Sequence, residues 1–458
     1  MKTWVSRAEL LQVPGFLGEF GDDDFILTLE GFSSYYPAPC RGTGGGVCMR
    51  DLVGPTGVLL LILAAAFGLR VVAACVVDQR AQAAGEICLI PGDADGYWEL
   101  GGKLARGETY SLYSPPRYVL RMPGFPAVLA VSQFVFGEAT LPARVLLAGI
   151  GTLCCALAYL LGRELVNDAV GLMAAAATSV TPVYVGFSVL FLSEMSFAAA
   201  MLLSLWLFVR LVKALRAKTP FWGLAIGTGL AIALATYLRP TWLLVAPMAG
   251  MVLVVIAPWV PRNWLAAGGI LAALFVAMTP WVIRNWMVTS HPVVTTLWSG
   301  PSLYDGLHAG ASGDSNMQFI ETDHLMGRMS EYEMNREYSR RAWAFVRENP
   351  VGTLQLAAVK QIRYWNPLPN GAQFSDWKLQ LLTACGTIPL YLFALCGVWR
   401  HRSNWLLLLC TLGPLLYFAG LHLLFVGSIR YRLPAEFPLW VLAAAGAVHP
   451  LFFPPRQS

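Results

Sequence analysis

Asp93 and Asp95 stand just ahead of Tyr97, at the head of a stretch reading DADGYWELGGKLARGETYSLYSPPRYVLRMPGFP that ends at Pro126. A carboxylate in such a polar loop can serve as general base toward an acceptor hydroxyl or amine, or offer oxygen ligands to a divalent cation. Solvated loop acids are common, so Asp93 alone says little, and Asp95 competes with it for any role. Glu194 adds weight: it lies in FLSEMSF, at the edge of an otherwise apolar run, where an ionisable group is by default a functional candidate. Its bland role is a salt bridge to a nearby arginine. Arg121 leads into Pro123-Gly124-Phe125-Pro126, a turn that stops any helix from extending back into the loop and holds the arginine beside the aspartates.

These residues sit in an apolar chain. With 56% hydrophobic and 13% charged residues and a mean hydropathy of +0.56, the 458 residues cannot form a water-soluble domain with a polar surface. The composition describes an all-α polytopic membrane protein. Apolar runs at 55–77, 141–162, 168–187, 190–212, 221–238, 240–258, 264–286, 379–399, 404–427 and 433–449 give about ten transmembrane helices, each needing about 20 residues to cross. The run 123–137 reaches only about 22 Å as a helix, so it is expected to lie at, or dip into, the interface.

Charge orients the chain. If 123–137 does not cross, Arg163, Arg210, Lys213, Arg216, Lys218, Arg262, Arg400, Arg402 and Arg456 share one side, which the positive-inside rule makes cytoplasmic. Asp93 and Glu194 then share the outer face, along with Arg117, Arg121, Arg144, Arg239, Arg284, Arg430 and Arg432 near the outer ends of different runs. Any one of these arginines could snorkel to lipid phosphates. Together they point to a convergent anion site, because the guanidinium binds phosphate oxygens bidentately and stays charged.

Four domains are expected. Residues 1–54, with GDDD and RGTGGG, read as a cytoplasmic, disordered extension, and Met49 is an alternative start just ahead of the first apolar run. A transmembrane core covers 55–286 with a first outer loop at 78–140, an outer helical loop covers 287–378, and 379–458 holds the last transmembrane helices. In the outer helical loop, Ser330 and Glu333 form a capping box, Met334, Tyr338, Ala342 and Phe345 a stripe, and Asn349-Pro350 a stop. A second stripe follows at Leu354, Leu356, Val359, Ile362 and Trp365, and both helices are expected to cover the outer ends of the spans as a lid. Six histidines and nine cysteines show no zinc spacing, and Cys75 and Cys88 are read as buried thiols rather than a disulfide.

By now the residues carry a resemblance. Asp93-x-x-x-Tyr97, Leu104, Gly107, RMPGFP at 121–126, FG at 136–137 and Arg144 resemble the first outer loop and following helix of the GT-C glycosyltransferases. The branch is that of the protein O-mannosyltransferases and the aminoarabinose transferases of lipid A. The likeness continues through LSE at 192–194, LRPT at 238–241, PWVIRN at 280–285, the Leu354–Trp365 helix and RYRLP at 430–434. It implies a GT-C fold and transfer of a sugar from a polyprenyl-phosphate donor at the outer face. It also implies Asp93 as catalytic base or metal neighbour, Glu194 as the second acid, and Arg121 on the donor phosphate. Arg239, Arg284, Arg430, Arg432 and Tyr97 complete the expected donor-phosphate group. Many close relatives carry lysine in the phosphate role, and any acceptor recognition is expected to come from the outer loops.

The expected activity is therefore an inverting sugar transfer in a bacterial inner membrane, with the site facing the periplasm. Its partners are the lipid-linked donor, membrane lipids and an acceptor that is a lipid, a glycan or a protein, with no nucleic acid. A divalent metal is an open possibility. The competing class is a transporter or flippase of a lipid-linked anion, which should show internal repeats and polar residues reaching both faces.

Overall fold

The computed structural model describes residues 54–88, 92–370 and 376–448. The N-terminal extension expected at 1–54 lies outside them, apart from Gly54. Among the described residues the chain is helical throughout, and the only β pairing is one isolated bridge between Leu112 and Arg117.

Among the described residues, five helices are long and apolar enough to cross a membrane: α1 (Pro55–Ala84), α4 (Thr140–Leu165), α7 (Glu194–Arg216), α10 (Pro261–Thr289) and α16 (Trp377–Arg400). The other five expected runs are also helical, but shorter or broken. The run 168–187 divides into α5 (Asp168–Val180) and α6 (Pro182–Phe187), because Pro182 cannot donate the hydrogen bond that would continue α5. Pro414 splits 404–427 in the same way into α17 (Trp405–Thr411) and α18 (Gly413–Leu421). Between these lie α8 (Trp222–Leu238), a 3₁₀ turn at Pro240–Trp242 leading into α9 (Val245–Ile256), and finally α19 (Ile429–Ala447).

The centre of the bundle is α7, 78% of whose apolar window is buried in the protein, against 17% for α1 at the periphery. It packs against α4, α8 and α19. Small residues let backbones close up around this centre. A Cβ on Gly397 of α16 would stand 2.3 Å from the Leu442 carbonyl of α19, and one on Gly446 2.3 Å from that of Phe393.

The two ends of the bundle differ. At one end Lys213 Nζ meets Glu164 Oε1 at 2.9 Å, Arg262 donates to Lys218 O at 3.0 Å, and Arg163 pairs with Asp168 at 3.0 Å. At the other end are α2 (Asp93–Ala105), α3 (Gly124–Phe136) and the polar segment holding α11 (Ser299–Gly306), α12 (Phe319–Thr322), α13 (Leu325–Arg328), α14 (Glu331–Glu348) and α15 (Pro350–Trp365). The head of the first loop is thus a helix that starts on Asp93. The run expected at the interface forms α3, whose 13 residues are too few to cross.

The α14 cap is reciprocal: Glu333 N donates to Ser330 Oγ, and Ser330 N donates to Glu333 Oε2. Met334, Tyr338 and Ala342 are its fully buried stripe. In α15 the expectation reverses. Leu354 and Ile362 are both 71% exposed, and the buried face carries Lys360 and Tyr364 instead. The cause is the carbonyls of α18 and of the turn after it: Leu423 and Leu424 accept from Lys360 Nζ at 3.0 and 2.7 Å, and Leu415 accepts from the Tyr364 hydroxyl at 2.9 Å. Leu354, Val359 and Ile362 of the α15 stripe therefore face away from the bundle, while Trp365 packs against it. Cys75 and Cys88 are free thiols, Cys88 buried and Cys75 half-buried.

Candidate functional site

Asp93 is the first residue of α2, where the helix dipole favours a negative charge. Asp95, two positions on, is spent on the backbone: its Oδ2 accepts from Gly92 N at 2.8 Å. That leaves Asp93 to project toward the cavity, with about a third of its side chain exposed.

The partners of Asp93 come from distant elements. Arg121 Nη2 donates to its Oδ1, and Arg430 Nη1 lies 2.9 Å from its Oδ2. Arg121 is delivered by the Pro-Gly-Phe-Pro turn. Phe125 is fully buried and meets the Tyr97 ring edge-on at 5.0 Å, while Arg121 lies over the same Tyr97 ring at 5.4 Å. Gly124 permits this, since a Cβ there would stand 2.5 Å from Tyr237 O at the end of α8. Burial raises the Asp93 pKa, but the guanidiniums of Arg121 and then Arg430 outweigh it and hold the carboxyl well below the usual carboxylate range.

Behind Asp93 lies Glu194, the first residue of α7, whose side chain is wholly buried. Its Oε1 accepts from Arg430 Nε and, at 2.7 Å, from Arg239 Nη2. Arg239 also donates to Ser193 Oγ at 3.0 Å and lies 5.7 Å from the centre of the Tyr431 ring. Arg239 occupies the junction of α8 and the 3₁₀ turn, in the extended conformation that the following Pro240 imposes. Three guanidiniums against two carboxylates leave the cluster with one positive charge.

Asp93, Tyr97, Arg121, Arg239 and Arg430 line one cavity of about 400 Å³. One side of it is apolar, formed by Leu238, Leu243, Leu244, Tyr417, Phe418 and Leu421, and it continues to the outside of the bundle at Leu244, which is 55% exposed. Glu194 is not on the wall; it holds Arg239 and Arg430 from behind.

Two arginines of the expected donor-phosphate group are elsewhere. Arg432 is two residues past Arg430 on the same helix, hence about 200° around its axis. It points away from the cavity, where its Nε meets Glu436 Oε1 at 2.5 Å and its Nη1 donates to the Tyr364 and Asn366 carbonyls. Arg284 donates to Tyr118 O at 2.6 Å and Tyr110 O at 3.0 Å, tying the first loop to α10. Arg144 and Arg117 are likewise structural. The first pairs with Asp78 at 3.2 Å, and the second donates to the Met326 and Met329 carbonyls. Losing Arg432 (Arg432→Gln) is therefore expected to lower folded yield in a detergent-stability assay, with donor affinity per folded molecule unchanged.

Some residues escaped the sequence. Arg70, in the middle of α1, is fully buried and donates to Ser179 O at 3.0 Å, Thr178 O at 3.2 Å and Ser188 Oγ at 3.1 Å, tying α1 to the end of α5 and the end of α6. A lone arginine inside an apolar run was the signal available for it. Glu331 accepts from Tyr118 N at 2.8 Å and Val119 N at 3.0 Å, fastening the arm that carries Arg121 to the start of α14. Nothing in its local sequence marks that role.

A divalent metal does not suit these residues. Both Asp93 oxygens already face guanidiniums, and among the described residues no group of three or more His, Cys, Asp or Glu could hold an ion.

Residues 120–283 match the dolichyl-phosphate-mannose-protein mannosyltransferase family. No curated protein matches the chain in sequence. Among solved structures, it is similar to the archaeal oligosaccharyltransferase AglB from Archaeoglobus fulgidus, solved with an inhibitory peptide and a dolichol-phosphate. The identity is 14% and the TM-score 0.52, covering 85% of this chain and 50% of that one. The apo form of the Archaeoglobus fulgidus oligosaccharyltransferase gives 15% identity and a TM-score of 0.51, over 84% and 50%. ArnT from Cupriavidus metallidurans bound to undecaprenyl phosphate gives 14% and 0.41, over 86% and 77%. The chain thus spans about half the length of the oligosaccharyltransferases it matches. The matched segment begins one residue before Arg121 and ends one residue before Arg284, so it takes in Glu194 and Arg239 of the cluster. The helical architecture and the oligosaccharyltransferase matches together identify the chain as an all-α, polytopic membrane protein of the GT-C fold.

Proposed function

We propose that the chain moves a sugar from a polyprenyl-phosphate donor to an acceptor on a lipid, glycan or protein. The observation that carries this is the convergence of Arg121, Arg239 and Arg430 around Asp93 on one cavity whose other side is apolar and reaches the outside of the bundle. A phosphodiester carries one negative charge and the cluster one net positive charge. The prenyl chain lies along the apolar side, and the oligosaccharyltransferase of the same fold was solved with a dolichol-phosphate.

In the reaction the acceptor oxygen or nitrogen attacks the anomeric carbon from the face opposite the phosphate. The bond to the phosphate oxygen breaks, its electron pair leaves with the phosphate, and the acceptor proton passes to Asp93. Charge develops on the departing phosphate in the transition state, which is where fixed guanidiniums contribute most. The donor phosphate also draws Arg121 and Arg430 away from Asp93, which restores the basicity that those arginines suppress.

The site end lies opposite the end whose short connections carry Arg163, Arg210, Lys213, Arg216, Lys218, Arg262, Arg400 and Arg402. The positive-inside rule then supports a site facing the periplasm of a bacterial inner membrane. All of the cluster's charges are at one end of the bundle, where a transporter would need polar groups along the whole path.

The test is transfer of label from radiolabelled polyprenyl-phosphate sugars in membranes holding the protein. One labelled acceptor should form for each polyprenyl phosphate released. No label moved from any neutral hexose, pentose or aminosugar donor overturns the reading. The depressed Asp93 pKa adds a pH prediction. A depressed carboxyl is ionised above its folded pKa and loses its charge only as pH falls through it. In the free enzyme, which kcat/KM reports, Asp93 therefore stays charged from pH 7 to about pH 5. The profile of kcat/KM for the donor should be flat there, and an acid limb in that range that Asp93→Asn removes counts against the assignment.

A further inference from the structure

We propose that the cavity wall formed by Thr295, Thr296, Trp298 and Ser302 is a binding site for a neutral pyranose. It faces the same cavity as the arginines but differs in kind. The hydroxyls of Thr295, Thr296 and Ser302 and the Trp298 indole N–H have no protein partner among the described residues, and none of them is sealed from the cavity. Free hydroxyls around an indole suit a sugar ring, whose C–H face lies on the aromatic surface while its edge hydroxyls exchange hydrogen bonds. The proposal rests on the glycosyltransferase reading.

The wall is built rather than incidental. Trp281 Nε1 donates to Thr295 O at 2.9 Å, and Leu297, itself buried, donates through its N–H to Val119 O at 2.9 Å. Those two bonds fix the backbone on either side of Thr296 and turn Thr296 and Trp298 to the cavity. They also tie the wall to the arm holding Arg121, two residues beyond Val119. A sugar and the phosphate it is bonded to must occupy adjacent sites, and this arm joins the two.

The wall also discriminates on charge. Its one acid, Asp305, is 1% exposed, and its oxygens accept from Ser315 Oγ at 2.7 Å and Asn316 N at 2.8 Å. On this wall no carboxylate oxygen is left unpaired to receive the ammonium of an aminosugar, and no cation sits there to receive a uronate. Burying either charge without a partner is costly, so a neutral ring is the ligand that fits.

The test uses the full chain in nanodiscs with three probes: bare polyprenyl phosphate, its neutral hexosyl ester and its amino-sugar ester. Wild type should bind the hexosyl lipid about tenfold more tightly than the bare one. Trp298→Ala should erase that preference without changing affinity for the bare lipid, while Trp298→Phe keeps most of it. That result places the donor's sugar on the wall. If the preference survives in Trp298→Ala but KM for a glycan acceptor rises, the neutral pyranose is the acceptor's. If neither quantity moves, or if the amino-sugar ester binds as well as the hexosyl one, the proposal is overturned. Hexosyl preference that depends on Trp298, with no transfer to any acceptor, keeps the site and removes the reaction.

Discussion

Asp93→Asn is expected to slow transfer by roughly 10²–10⁴-fold, the usual contribution of a positioned general base, with folded yield unchanged. The substitution keeps the shape and an oxygen for Arg121, so the loop need not move. It removes one negative charge from a cluster whose net charge is one positive, so donor affinity should hold or rise while turnover collapses. Single-turnover transfer and donor binding, measured on the same preparation, separate the two. A wild-type rate in the variant would show that another group takes the proton, and lost donor binding would make Asp93 a ligand rather than a base. Asp95→Asn is the control, since it keeps a side-chain oxygen at the start of α2 and reaches no reacting atom; transfer should be nearly unchanged.

Arg430→Met should be the most damaging change among the arginines, because Arg430 alone touches both acids. It removes one phosphate contact and also leaves Glu194, wholly buried, with Arg239 as its only guanidinium. Breaking a buried pair from one side costs about 3–5 kcal/mol. The single variant should therefore lose both thermal stability and donor binding. Adding Glu194→Gln removes the uncompensated charge, so thermal stability should recover in part while transfer stays absent. Recovery of transfer in the double variant would mean that Arg430 serves the fold alone. Equal stability of the single variant and wild type would mean that Glu194 does not depend on it.

Much of this was legible in the chain itself. Apolar run lengths placed the helices, with ends that differ by up to seven residues, as at Ala84 of α1, and the short run before Gly137 formed a helix of 13 residues. The α14 cap was readable because a capping box is a contact between neighbours in sequence. Breaks at Pro182 and Pro414 were visible as prolines, although they fell inside runs long enough to be counted as single spans.

The arginines mark where such reading ends. Seven near one end of the bundle suggested a convergent anion site, and the fold separates them by direction. Arg430 and Arg432 differ by two positions on a helix, and that rotation sends one to the cavity and the other to the carbonyls behind α15. Arg284 is close to the site in sequence pattern, but two carbonyls of the first loop accept from it. The apolar stripe of α15 failed for a related reason. Periodicity identifies a face, while the position of unpaired carbonyls decides which face turns inward.

The sequence by itself determined the class of protein, the helical runs, the sided distribution of charge and the residue types able to do chemistry. These follow from composition, periodicity and membrane thickness, all properties of neighbouring residues. Only the tertiary structure decided that Asp93 rather than Asp95 meets the arginines, that Glu194 lies behind them, and that Trp298 shares their cavity. Each depends on residues far apart in the chain approaching within a few ångströms, and on which backbone groups have already claimed a side chain's donors.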